Sequence, residues 1–402
     1  MLNLKRQSVK ALKEVMSMRT RRLLAKLGSQ SRGRRKLREK TANNEILERV
    51  RRRVAKRKQE LTRLLAKIAR ANTAKYSQGF YSRGMRVFFI VGRGRSGTTW
   101  LRSTLNSHPE ILCWGEGRFL ERSFKWEDFE QSQLKNIPPS SLYGAFLESK
   151  YLKAWVDRSV WATGKDTDRH LVNLTRLAID YFLSEQLSKT GKKIVGDKTP
   201  FVSAEVVEEM SVIYPEAKVI HIIRDGRDVA VSLIHHMWNN AKNEGGIYDL
   251  EPEELEKRST YREGSFLPLA ESLFTKERLI SIATDWSTEI RKVMRDGPTL
   301  LGSNYSEVRY EDLLERPTEE VRRLLEFLGA DASEEAAKRC VEIAGFERKS
   351  DRERGQEDSS SRYRKGVVGD WKNVFTEENK YIFKKIAGDL LIELGYEEDG
   401  SW

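Results

Sequence analysis

The run Gly92-Arg93-Gly94-Arg95-Ser96-Gly97-Thr98-Thr99-Trp100 packs two arginines, three glycines and three hydroxyl side chains into nine residues. It follows the β-branched and aromatic stretch Val87-Phe88-Phe89-Ile90-Val91 and opens a helical pattern over 98–107. A strand, a glycine-bearing turn and a helix start gather backbone N–H groups and the positive end of the helix dipole around one point. Such a point binds phosphate or sulfate. The spacing Gly92…Gly97 nearly satisfies the nucleotide loop G-x-x-x-x-G-K-[ST]. Thr98, however, stands where that pattern needs lysine, and the positive charge comes from Arg95 inside the loop. The loop should therefore hold an anion without the usual arrangement for a Mg-bound γ-phosphate.

Two further segments carry anion chemistry. Arg224-Asp225-Gly226-Arg227-Asp228-Val229-Ala230-Val231-Ser232 follows a strand pattern. Arg224 offers a planar fork of donors suited to phosphate oxygens. Ser232 comes about two helical turns later if a helix starts near Asp228. Far along the chain, Arg364-Lys365-Gly366-Val367-Val368-Gly369-Asp370-Trp371-Lys372-Asn373 adds another basic cluster.

In this order the three segments resemble the sulfotransferases that use 3′-phosphoadenosine 5′-phosphosulfate (PAPS), over most of residues 86–375. The resemblance implies that the loop Gly94, Arg95, Ser96, Gly97, Thr98, Thr99 and Trp100 takes the 5′-phosphosulfate. It implies that Arg224, Ser232, Arg364, Lys365 and the Gly366 backbone take the 3′-phosphate, with Trp100 and Tyr310 beside the adenine. A donor with an anion at each end needs two phosphate sites, and an ordinary ATP site has no use for the second. Lys198, in Gly196-Asp197-Lys198-Thr199-Pro200, resembles a family lysine near the bridging oxygen. Pro200 stands where cytosolic members place a histidine, so a histidine base there is impossible. Glu116 instead resembles the glutamate base of the tyrosyl-protein and heparan-type members, nearer relations on this count than the histidine-base ones. Asp197, His235 and His236 remain alternative bases. The five histidines and two cysteines form no metal-ligand spacing, so no metal is expected.

These residues need a frame to hold them. Strand patterns at 86–92, 193–196, 218–223 and 307–310 alternate with helical ones at 98–107, 171–188, 201–213, 269–295 and 317–328. That alternation predicts an α/β fold of three layers, P-loop-like, around a central parallel sheet. The stretches 235–266 and 348–363 read as loops, the first as a lid.

Charge divides the chain. Of 73 Lys+Arg and 60 Asp+Glu, residues 1–85 hold 26 and 5, leaving 47 and 55 for the rest. Residues 1–83 thus form a basic helical extension ahead of a domain at 84–402. Val9, Leu12, Met16, Leu23 and Leu27 give it one loose apolar stripe. Leu47, Val50, Val54, Leu61, Leu64 and Ile68 give a short heptad seam, with Arg57 in the missing place. The extension could pair as a coiled coil, self-associate, or grip an anionic membrane surface; its arginine-rich, acid-poor start also fits a transit peptide. No nucleic-acid fold signature is present. No apolar run approaches the ~20 residues that span a bilayer, and two cysteines are too few for a disulfide framework. The expected location is cytoplasmic, peripheral to a membrane at most. The expected activity is transfer of a sulfuryl group from PAPS to an acceptor hydroxyl, a carbohydrate or glycolipid by resemblance. The rival readings are a P-loop kinase or NTPase and a non-catalytic polyanion-binding protein.

Overall fold

Val87 to Val91 are all buried, as a strand covered on both faces requires. The computed structural model describes residues 85–120, 141–162, 167–201, 205–358, 361 and 364–402. The basic extension expected at 1–83, with its heptad seam, lies outside the described residues.

The chain runs through β1 (Arg86–Arg93), α1 (Thr98–Asn106) and β2 (Ile111–Gly115). It continues through α2 (Leu142–Glu148), α3 (Lys150–Arg158) and the long α4 (Thr167–Thr190) to β3 (Ile194–Phe201). After α5 (Val206–Ile213) come β4 (Lys218–Ile223), α6 (Gly226–Asn239), α7 (Pro252–Arg262), α8 (Lys276–Leu301) and β5 (Tyr305–Arg309). Then follow α9 (Tyr310–Glu315), α10 (Pro317–Leu328), α11 (Glu334–Ile343), α12 (Phe346–Ser350) and α13 (Glu377–Glu393).

The five strands form one sheet in the order β2-β3-β1-β4-β5. All the pairings are parallel, with Ile90 opposite Lys198 on one side and Ile220 on the other. Strand alternation sorts the core into two faces. Val87, Phe89, Val91, Val195 and Val219 pack with Ile179, Met210 and Val293 from α4, α5 and α8. Phe88, Ile90, Ile194, Ile220 and Ile222 pack on the other face with Leu101, Leu324, Leu325 and Ala337 from α1, α10 and α11. The fold is thus the expected three-layer α/β arrangement.

A further apolar cluster joins α6, α8 and α13 around Trp286, Phe383, Trp371 and Phe375. Trp286 is wholly buried, and its Nε1–H donates to the Arg224 carbonyl at 3.2 Å. The start of α6 is thereby fixed against α8.

Several elements differ from expectation. β2 was unforeseen, a short run that follows a tight turn. Lys192 holds that turn, its ammonium donating to the carbonyls of Asn106, His108 and Ile111. β3 extends to Phe201, so the helix expected from 201 begins at Val206. α8 starts at Lys276 behind a Thr275 cap and runs to Leu301, past Pro298. The stretch 235–266 is not one loop. α6 reaches Asn239, and α7 begins at Pro252 with a reciprocal cap between Glu251 and Glu254. Proline at the first helical position followed by acidic residues was a legible start signal.

Gly226 tests the packing beneath this frame. A Cβ there would lie 2.5 Å from the Trp286 ring. Gly226→Ala should therefore cost about 2 kcal/mol of stability through overpacking, measured as a lowered midpoint in denaturant unfolding.

Candidate active site

The loop between β1 and α1 turns on two residues in left-handed conformation, Arg95 (φ 75) and Gly97 (φ 88). The Ser96 N–H donates back to the Arg93 carbonyl at 3.1 Å. A Cβ on Gly97 would meet the Tyr310 ring at 2.4 Å, so only glycine lets that ring close over the loop. α1 then starts without a side-chain cap. Its first amides and the helix dipole stay available to an anion.

Arg224, buried just past β4, ties this loop to the rest of the site. Its Nη1 donates to the Arg95 carbonyl at 3.1 Å and its Nη2 to the Val367 carbonyl at 3.1 Å. Its guanidinium lies over the Tyr310 ring at 4.4 Å and stands 3.7 Å from Asp228. Two turns along α6, Ser232 Oγ accepts from Arg95 Nε at 3.1 Å. Asp228 accepts from the N–H groups of Gly369 at 2.8 Å and Trp371 at 3.0 Å, which pins the C-terminal segment to α6. Arg364 and Lys365 stand on that segment, each paired with Glu357 and Asp370. The Nε atoms of Arg224 and Arg364 are buried with no hydrogen-bond partner among the described residues. Donors left over in this way fit a phosphate-bearing ligand.

One cavity is lined by Arg95, Gly97, Thr98, Thr99 and Trp100, by Arg224 and Ser232, and by Arg364, Lys365 and Gly366. Tyr310 completes it, packed edge-on to Trp100 at 6.4 Å. Of the residues singled out for the anion ends, Ser96 and Gly94 stand apart. Ser96 is wholly buried, its amide already bonded and its hydroxyl unpartnered among the described residues. Gly94 lines the neighbouring cleft. Sequence reasoning missed Phe346, Arg354 and Val367, which also line the cavity. A Cβ on Gly366 would lie 2.6 Å from the Phe346 ring. No motif announces Phe346.

The neighbouring cleft, about 1560 Å³ and open to solvent, shares Arg95, Thr98 and Thr99 with the cavity. It holds Glu116 and Lys198, whose charged ends meet at 2.5 Å. The Lys198 side chain is 4% exposed and that of Glu116 is 55% exposed. The Glu116 N–H donates to the Lys198 carbonyl at 2.8 Å, extending the β2–β3 ladder by one bond. Gly115 lies opposite Lys198, and a Cβ there would come within 2.8 Å of the lysine Cε. Glycine leaves the lysine stem its path.

Asp197 points to the opposite face of β3, as strand alternation dictates. It accepts from the Gly117 N–H at 3.0 Å and from Thr199 Oγ1 at 2.7 Å. Burial pushes its carboxyl above the ordinary value. It lines an apolar groove with Trp114, Phe119 and Phe182 rather than the cleft. The two histidines separate as well. His235 is buried against Trp238 and Tyr261, and burial pushes it down to about 3. His236 lines the cleft beside Tyr248. Among the described residues no group of three or more His, Cys, Asp or Glu could hold a metal ion. No described helix is long and apolar enough to cross a membrane.

Comparison with known proteins falls on the same span. The profile of the sulfotransferase domain matches residues 86–395. A Caenorhabditis briggsae protein with a provisional protein-tyrosine sulfotransferase name is 23% identical over 318 residues, 79% of this chain and 91% of that one. The nodulation protein NoeE of Sinorhizobium fredii is 25% identical over 322 residues, 78% of this chain and 66% of NoeE. Among solved structures, mouse sulfotransferase SULT7A1 complexed with PAP covers 78% of this chain and 90% of its own, at 16% identity and a TM-score of 0.41. This chain belongs to the sulfotransferase family.

The cleft wall opposite Glu116 carries an ion pair that sequence reasoning did not foresee. Arg93 Nη1 donates to both Glu289 oxygens at 2.7 Å, and Arg93 Nη2 stands 3.5 Å from Asp285. Burial pushes Glu289 up to about 7, against the pull of Arg93. A carboxyl raised on folding favours the native state when protonated. The stability it lends is full below its ordinary value and lost as pH rises through about 7. Glu289→Gln should flatten the fall in unfolding free energy between about pH 5 and pH 8, followed by urea denaturation.

Proposed function

We propose that the chain is an enzyme that transfers a sulfuryl group from PAPS to an acceptor hydroxyl, releasing adenosine 3′,5′-bisphosphate. One observation carries this reading: residues from three segments far apart in sequence line a single cavity rich in cations. A P-loop kinase would need neither the second cationic cluster nor threonine in place of the loop lysine. The loop amides from Gly97 through Trp100, and Arg95, hold the phosphosulfate end. Arg224, Ser232, Arg364, Lys365 and the Gly366 amide hold the 3′-phosphate, and Trp100, Tyr310 and Phe346 flank the adenine.

The donor supplies the sulfuryl group and a phosphate leaving group. Glu116 takes the proton of the attacking hydroxyl, acting as general base from the more exposed side of its pair with Lys198. Lys198 and Arg95 meet the negative charge that collects on the bridging oxygen as the bond to sulfur breaks. Asp197 has no part in this, being on the far face of β3. His236, Tyr248, Ser281 and Asp285 give the cleft polar walls, which suit a carbohydrate or glycolipid hydroxyl. The domain is taken as 84–402, with 1–83 a separate basic extension able to meet an anionic membrane surface or a second copy.

Two outcomes test this. Arg364→Ala should weaken binding of the 3′,5′-bisphosphate by about 10-fold or more while changing 5′-AMP binding little, by calorimetry; equal losses would mean no dedicated 3′-phosphate site. Glu116→Gln should keep affinity for the bisphosphate and lose about 100-fold or more in turnover. The assay is transfer from radiolabelled PAPS to a panel of saccharide, phenolic and tyrosyl-peptide acceptors.

A further inference from the structure

Arg364 and Lys365 are not bare cations. Arg364 Nη1 donates to Glu357 Oε1 at 2.8 Å, and its Nη2 donates to Asp370. Lys365 Nζ reaches Glu357 Oε2 at 2.8 Å and Asp370 Oδ1 at 2.9 Å. The two carboxylates are unequal. The Asp370 side chain is 3% exposed, in a short turn beside buried Trp371, next to amides that Asp228 pins. The Glu357 side chain is 24% exposed, on a segment without regular secondary structure. That segment hangs on backbone bonds to the cations' own carbonyls, Gly355 N–H to Lys365 and Asp358 N–H to Arg364. Glu357 also accepts from the Tyr261 hydroxyl of α7 at 3.0 Å.

We propose that Glu357 is a product-release residue, a built-in counter-anion that holds Arg364 and Lys365 until a ligand phosphate takes its place. The inference rests on the proposed function, which assigns those two cations to the 3′-phosphate. Adjacent buried cations are costly unless paired, and Asp370 alone leaves them with positive excess. Arg224, paired with Asp228, still feels the charge of Arg364. Burial alone would raise Glu357, but hydrogen bonds from Lys365 and Arg364 and their charges hold it below the ordinary carboxylate value. It is therefore ionised at neutral pH and competes for the same donors as an incoming ligand.

A phosphate dianion brings more charge and three acceptor oxygens, so it displaces a single carboxylate. A ligand without that phosphate cannot. The competition lowers affinity for the right nucleotide and eases the departure of a product that still carries its phosphate.

The sign of the effect separates this role from that of an ordinary binding or orienting residue. On the full chain, Glu357→Gln should bind adenosine 3′,5′-bisphosphate about 5-fold tighter, with dissociation slowed by a similar factor and 5′-AMP affinity unchanged. Tyr261→Phe removes one hydrogen bond from Glu357 while keeping the ring, and should shift binding the same way by a smaller factor. Calorimetry and stopped-flow release measure both, and Tyr261→Phe decides the matter if Glu357→Gln fails to fold. Unchanged or weaker bisphosphate binding in the folded variant overturns the inference. If the native chain itself fails to prefer the bisphosphate over 5′-AMP, the donor reading falls and takes this inference with it. If the native chain discriminates and the variants do not tighten, only the inference falls.

Discussion

A guanidinium removed from water needs its charge answered and its N–H groups bonded. Arg224 has its charge answered and two of its nitrogens bonded by reaching three separate parts of the chain. It bonds the carbonyl of Arg95 in the first loop and that of Val367 near the C-terminus, and it lies over Tyr310 beyond β5. Asp228, one helical turn away, supplies the negative charge and binds two amides of the C-terminal segment. The cavity walls are mutually located because this one side chain and its counter-charge touch all of them.

Carboxylates organise cations throughout the site. Arg93 is held by Glu289, Lys198 by Glu116, and Arg364 with Lys365 by Asp370 and Glu357. Each pairing fixes a positive group where a polyanion would need it. Each also leaves that positive group already partnered by a carboxylate.

The three segments that line the cavity were legible in the sequence because their chemistry is local. Glycines permit the left-handed turn at Gly97 and the close approach of Phe346 to Gly366, and arginines follow at fixed offsets. The paired acids were not legible, since Glu357 and Glu289 gain meaning only from partners the fold delivers. Arg93 and Glu289, for instance, are 196 residues apart. Asp197 could have been set aside on sequence reasoning alone: if Lys198 faces the site from a strand, its neighbour faces away. His235 and His236 divide in the same manner, one rotated into an aromatic cluster on α6 and the other into the cleft. α7 escaped notice because a polar, glycine-bearing context hid a sound proline start.

The clamp that Asp228 places on Gly369 and Trp371 joins residues 141 and 143 positions apart. Contacts of such span carry a large loop-closure entropy and are made only after the intervening chain has condensed. During synthesis, the β1 loop and the start of α6 can be in place long before residues 364–371 have emerged. Until they do, the cavity lacks a wall. The newborn chain therefore passes through a stage with a sheet and the β1 loop in place but with the cavity still open on the side that residues 364–371 close.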